Sequence, residues 1–154
     1  MSKIESRLSE LNITLPAAPA PAANYVPFVI TGNQLFISGQ ISSGADGLVK
    51  GRLGEDMDVE AGAAAARLCG LALIAQAKAA LGDLDRITRV VKLGGFVNST
   101  PDFTDQPKVV NGCSDLMVEV FGDVGRHARS AVATPSLPLG VAVEIDAVFE
   151  IKDA

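Results

Sequence analysis

His127-Ala-Arg-Ser-Ala-Val-Ala-Thr-Pro-Ser-Leu-Pro-Leu-Gly-Val-Ala-Val-Glu-Ile-Asp-Ala-Val-Phe-Glu-Ile-Lys152 is the stretch whose reading decides the fold. From Val141 the odd positions are Val141, Val143, Ile145, Ala147 and Phe149, and the even side carries Glu144, Asp146 and Glu150. Apolar and charged residues alternating with period two are what a half-buried strand requires. A second, shorter strand is expected over 129–134, joined to the first through Leu137-Pro138 and Gly140. Read as a hairpin-like unit, the pair holds Arg129 and Glu144 on neighbouring strands of rigid sheet. A guanidinium grips a carboxylate through two parallel hydrogen bonds, and a glutamate beside it can move protons. The same two residues also make a plain cross-strand ion pair on a wet face, and the residues alone favour that reading.

Working outward, 154 residues are enough for one domain with a real core and no staples. The chain is 48% apolar, and much of that is alanine, so its helices are expected to pack closely. A net charge of −5, no Trp and one Tyr supply neither the basic patch nor the stacking aromatics of a nucleic-acid binder. Two isolated cysteines, Cys69 and Cys113, and one histidine make no metal or disulfide framework. The start has no apolar leader and no run approaches membrane-spanning length, so a cytoplasmic, reduced protein with no membrane partner is expected.

Ser2-Lys-Ile-Glu5 is a capping box, and Ile4, Leu8 and Leu11 follow at helical spacing. A short helix within 1–13 is expected to pack on the domain or on a neighbouring subunit. Repeated prolines make 14–23 an extended connector, and the core spans 24–152. Residues 25–31 and 34–38 are β-rich around a Thr31-Gly-Asn-Gln34 turn, and 42–55 reads as loop. Acids near 58 and Gly82 bracket an Ala/Leu-rich helix over 58–81. A strand over 87–98 contains Gly94-Gly95, which suggests a bulge or a close approach of another backbone. Pro107 suits a first helical turn, and Val109, Cys113, Leu116, Met117 and Val120 share one helical face ending at Gly122. The order helix, hairpin, helix, strand, helix, two strands predicts an α+β fold: one mixed sheet with two long helices on one face.

Ala128-Arg129-Ser130-Ala131-Val132, then Leu137-Pro138, then Val143-Glu144-Ile145-Asp146-Ala147 resembles the C-terminal signature of the Rid (YjgF-like) family of small trimeric enamine/imine deaminases. Tyr25 before the first strand, Ser38-Gly39-Gln40 after the second, Phe96-Val97 with Pro101-Asp102-Phe103, and Asn111 resemble the family at the same relative places. The resemblance covers 24–152 and implies a chorismate-mutase-like fold, a homotrimer with clefts between subunits, and no metal or organic cofactor. The implied substrate is a small 2-imino or 2-enamino acid, hydrolysed to a 2-keto acid and ammonia. Arg129 would hold its carboxylate and Glu144 would activate water and relay protons, with both lining one cleft. Tyr25, Ser38, Gly39, Gln40, Asn111 and Ala131 would line the rest. Ala131 stands where deaminase members often have a cysteine, a departure that bears on substrate fit. The N-terminal helix is an addition to the family pattern. Two other classes stay open: a non-catalytic binder of small carboxylates or ketoacids, and the endoribonuclease activity attributed to some relatives.

Overall fold

The computed structural model describes residues 2–20 and 24–154. Its central strand is β7 (Val143–Ile151), whose odd positions are buried and whose even positions are half-buried, as the alternation predicts. β2 (Gln34–Ile41) pairs antiparallel with one edge of β7, and β5 (Ile87–Asn98) pairs antiparallel with the other. β1 (Phe28–Thr31), which begins three residues later than expected, joins β2 through a turn in which Gly32 takes a φ of +58°. β6 (Ala128–Thr134) lies parallel to β5 and forms the far edge, giving the order β1-β2-β7-β5-β6.

This order corrects the hairpin-like reading of the C-terminal stretch. β6 and β7 are not neighbours, because β5 lies between them. A helix, α3 (Gln106–Phe121), separates β5 from β6, and such a crossover lays the second strand parallel to the first. The slot beside β7 is taken by the longer strand β5. The register also fixes which way the two residues point. Arg129 pairs with Leu93, whereas Glu144 pairs with Phe96, three residues further along β5. Side chains three apart on a strand point to opposite faces, so Arg129 emerges on the helix side and Glu144 on the open side.

Helix α2 (Val59–Leu81) and α3 cover one face. Asp58 caps α2 by accepting the Ala61 amide at 2.8 Å, and Gly82 ends it at φ +77°. The two helices approach closely because glycines line their contact. A Cβ on Gly70 would meet Leu116 at 2.8 Å and Cys113 at 3.0 Å, and one on Gly112 would land on the carbonyl oxygen of Ala63. Backbone cannot yield as a side-chain tip does. Gly112→Ala is therefore expected to cost about 3 kcal/mol, read as a lower midpoint in urea. Both cysteines are buried, and burial pushes the Cys113 thiol up to about 12, which suits packing and not reactivity. α2 does reach membrane-spanning length, with a mean hydropathy of 1.4 over 18 residues, against expectation. Its apolarity has another outlet, since 61% of that window is buried against the sheet and α3.

α1 (Lys3–Glu10) packs against α3 and buries Leu8. Ser2 accepts the Glu5 amide at 3.1 Å, but Glu5 pairs with Lys78 on α2 and does not complete a capping box. The second cap comes from afar: the Asp85 carboxylate accepts the amides of Lys3 and Ile4 at 2.8 and 2.9 Å. Residues 14–20 of the connector run without regular structure and are tied to α2, where Gln76 Nε2 donates to the Pro19 carbonyl at 2.7 Å. The remainder of the connector, 21–23, lies outside the described residues.

Two smaller expectations change. The 42–55 loop contains a tiny hairpin, β3 (Ser43–Gly44) with β4 (Gly47–Leu48). The register shifts of β5 fall at 87–89 and 90–92, not at Gly94-Gly95. Those glycines make room within the same chain, for the Asp146 carboxylate over Gly94 and, over Gly95, for Val110 and the backbone carbonyl of Ser130 on the neighbouring strand. They give no support to contact between copies.

Candidate functional site

The expected site residues fall into two groups at different parts of the sheet. The first gathers around a bulge in β2. Pairing of β2 with β7 slips between Ile37 and Gln40, and pairing with β1 stops at Ile37. Ser38 and Gly39 sit in that bulge, and beyond it the outer edge of β2 has no strand partner among the described residues. The Ser38 amide and hydroxyl donate to the carbonyls of Pro27 and Val26 at 2.9 and 3.0 Å, which ties the segment after Tyr25 to the bulge. Ser38 is thus committed to backbone and frames the site. Gln40 is buried and also internally satisfied: its Nε2 donates to the Ser38 carbonyl at 3.0 Å, and its Oε1 accepts from Gln76 at 3.4 Å.

Glu144 reaches over Gly39, with its carboxylate where a Cβ on that glycine would be. A glycine here is a steric requirement and not a turn device. The carboxyl is half-buried, and burial followed by the neighbouring Asp146 charge raises its pKa above the usual glutamate range. It opens onto a cavity of about 920 Å³ whose walls include Tyr25, Gly39, Gln40 and Glu144 together with residues of the connector and of α2. Four of the expected residues thus share one space. Tyr25 stands on its wall, half exposed.

The second group lies at the β6 edge. Arg129 NH1 donates to Ser114 Oγ at 3.0 Å and NH2 to the Pro107 carbonyl at 3.2 Å, both on α3. A guanidinium has five donors, so this anchoring fixes the fork and leaves further N–H groups for a ligand. Asn111 is exposed on α3, four residues after Pro107 and three before Ser114, hence on the same helical stripe as both partners of Arg129. Ala131 follows on the same side of β6, partly buried against the core.

Two residues of this group were not expected from the sequence. Ser114 Oγ lies 2.8 Å from His127 Nε2, and His127 Nδ1 lies 2.6 Å from the Gly125 carbonyl. A carbonyl only accepts, so Nδ1 carries the proton and Nε2 accepts from the serine hydroxyl. Burial, and then the Arg129 charge, lower the histidine pKa against the raising effect of the Gly125 bond, which favours this neutral form. Ser114 therefore donates to His127 and accepts from Arg129, holding the guanidinium in place. The signal for Ser114 was its i+3 spacing from Asn111. As the single histidine, His127 suggests no such role from sequence, and among the described residues no cluster of metal-ligating side chains occurs.

Within one chain Arg129 and Glu144 do not meet, since they emerge on opposite faces of strands that β5 separates. Beside Glu144 and Asp146 the open face carries a set of exposed apolar side chains. Val29, Phe36, Phe96 and Val132 stand on it with exposures between 36% and 50%.

A five-stranded mixed sheet in this order, beneath two long helices and with a bulged second strand, defines the α+β class of YjgF/chorismate-mutase-like proteins. The model of the family described as "YjgF/chorismate_mutase-like, putative endoribonuclease" matches residues 5–150, and the chain belongs to that family. Protein TCP17 of Trypanosoma cruzi is 52% identical over 153 residues, covering 98% of this chain and 96% of that one. The crystal structure of the protein Atu1372 from Agrobacterium tumefaciens is 52% identical with a TM-score of 0.89, over 97% of this chain and 92% of its own. A crystal structure from Shewanella oneidensis MR-1 is 38% identical with a TM-score of 0.93, over 97% and 100%. The family model begins at residue 5, inside α1, and the Trypanosoma cruzi relative covers 98% of the chain, so the N-terminal helix is not the addition to the family pattern that was expected.

Proposed function

We propose that the protein hydrolyses 2-imino and 2-enamino acids to 2-keto acids and ammonia, as a homotrimer whose sites lie between copies. The observation that carries the reading is Glu144: a carboxyl whose pKa is raised by burial and by Asp146, held over Gly39 at the mouth of a cavity, is placed to exchange protons with a ligand there. An anchored arginine fork on the same chain's far edge supplies the complementary carboxylate grip. Contact between copies through the open face would bury the apolar side chains Val29, Phe36, Phe96 and Val132, and closed threefold symmetry would give three equal clefts. Members of this family are typically homotrimers, which supports the same assembly.

The chemistry needs little beyond placement. With the substrate carboxylate on Arg129 of one copy, the C=N carbon lies toward Glu144 of the next. The reacting form is the protonated iminium, which an enamino acid reaches by taking a proton from water at C3. Glu144 takes a proton from a second water as its oxygen bonds to C2 and the C=N π pair returns to nitrogen, giving a neutral carbinolamine. The protonated Glu144 then returns the proton to nitrogen. The freed carboxylate takes the carbinolamine O–H proton as the C=O forms and the C–N bond breaks, ammonia leaves with the 2-keto acid behind, and Glu144 passes its proton to the departing ammonia. The water supplies the oxygen, and no oxidant is consumed.

The test supplies 2-aminoacrylate or 2-iminobutyrate in situ and follows keto acid formation with and without the protein. Acceleration proportional to protein concentration is the expected result. Tight keto acid binding without acceleration would leave a binding protein in its place. The family description also carries the word endoribonuclease, but a net charge of −5 offers little to a phosphate backbone.

A further inference from the structure

The cavity beside Glu144 is far larger than a three- or four-carbon imino acid needs. Its volume, about 920 Å³, lies in the range of pockets that enclose drug-sized ligands. Its walls explain both the size and the character. On one side run connector residues 14–20, among them Leu15 and Pro19. On the other lie Leu68, Leu71 and Ala72 of α2, with Leu139 near the mouth. Gln76 and Gln40, the polar side chains at the floor, spend their hydrogen bonds on the Pro19 carbonyl, the Ser38 carbonyl and each other. Glu144 is the one charged side chain among the described residues of the lining. Beyond the hydroxyls of Thr14, Tyr25 and Ser43, the space therefore offers a carboxylate or phosphate no cationic partner, and burying one there beside Glu144 would be repulsive. It offers apolar surface.

We propose, resting on the deaminase reading above, that this cavity is a side-chain subsite and that the preferred substrates are 2-imino acids with bulky apolar side chains, branched aliphatic or aromatic. The side chain enters between the connector and α2, and C2 stays at Glu144. The carboxylate points out of the cavity, toward the arginine of a neighbouring copy. The connector is the wall that sets the selectivity, and the Gln76–Pro19 hydrogen bond is its latch. Each methylene that moves from water into such a space is worth about fourfold in binding.

The experiment compares two substrate pairs on the wild-type protein. Imines of leucine and phenylalanine, made in situ by an L-amino acid oxidase with catalase, are set against 2-iminobutyrate in turnover. In parallel, 4-methyl-2-oxopentanoate and phenylpyruvate are set against pyruvate in calorimetric binding. A preference of at least about tenfold for the bulky member is expected in both. Leu71→Trp, which fills the cavity, is expected to remove that preference while leaving the short ligands within about twofold. Gln76→Leu, which unlatches the connector without filling the space, is expected to weaken the bulky ligands only. Equal or better handling of the short ligands by the wild-type protein overturns the subsite, whether or not either variant folds. Bulky keto acids that bind tightly while no imine is turned over would overturn the deaminase reading and leave the subsite standing.

Discussion

Glu144→Gln is expected to lower kcat on an imino acid by about 100-fold or more while ligand binding stays within about twofold, because the amide keeps the shape and loses the proton relay. The pH profile carries the sharper signature. A base is active when ionised, and burial and then Asp146 raise the pKa of this carboxyl, so wild-type activity should rise with pH through a range above that of an ordinary glutamate. The variant's residual rate should lose that acidic limb. Stability moves the other way. A carboxyl whose folded pKa is raised resists ionisation in the native state, so ionisation costs stability as pH climbs past the unfolded value. Glu144→Gln should then be at least as stable as the parent at neutral pH, by thermal unfolding. Gly39→Ala reaches the same carboxyl from the other side. Its Cβ would occupy the place of the glutamate oxygen, which can swing away, so the fold should survive while kcat falls. A Gly39→Ala protein with full activity, or a Glu144→Gln protein with an unaltered pH limb, would remove Glu144 from the chemistry.

The strands and helices were legible because each rests on local chemistry. The period-two pattern of β7, the Asp58 and Gly82 brackets of α2 and the apolar stripe of α3 all stand where the residues put them. What period two gives is a face, not a neighbour. That Arg129 lies beyond β5 from Glu144 follows from the crossover through α3, a choice made by strands far apart in the chain. The Gly94-Gly95 pair shows a related limit. A glycine in a strand signals that something comes close, but Asp146 and Val110 as the visitors are fixed by register and helix placement. The cavity was the least legible part. Its walls join residues of the connector to α2 across 57 positions, through a bond between a glutamine and a proline carbonyl that no spacing rule foretells. Ser114 and His127 were hidden for the same reason. A serine on a helix and a histidine before a strand become a pair only once α3 is laid against β6.

The opposed placement of Arg129 and Glu144 leads to the largest expected effect. Arg129→Lys keeps the charge and loses the planar fork, along with the bonds to Ser114 and Pro107 that hold it still. Activity should fall roughly 100-fold with folding intact, and Glu144→Gln should be similarly impaired. If each cleft joins Arg129 of one copy to Glu144 of the next, the two defects can be separated onto different chains. In an equal mixture that is unfolded and refolded together, about a quarter of the clefts in a closed ring would receive both native residues. The mixture should recover about a quarter of wild-type activity, whereas each variant refolded alone keeps only its residual activity, about a hundredth. A site built within one chain gives no such recovery, because every chain in the mixture carries one defect. Light scattering on the same samples reports the assembly. Trimers that regain activity only on mixing support the shared cleft, and a fully active wild-type monomer, or trimers that stay inactive after mixing, would overturn it.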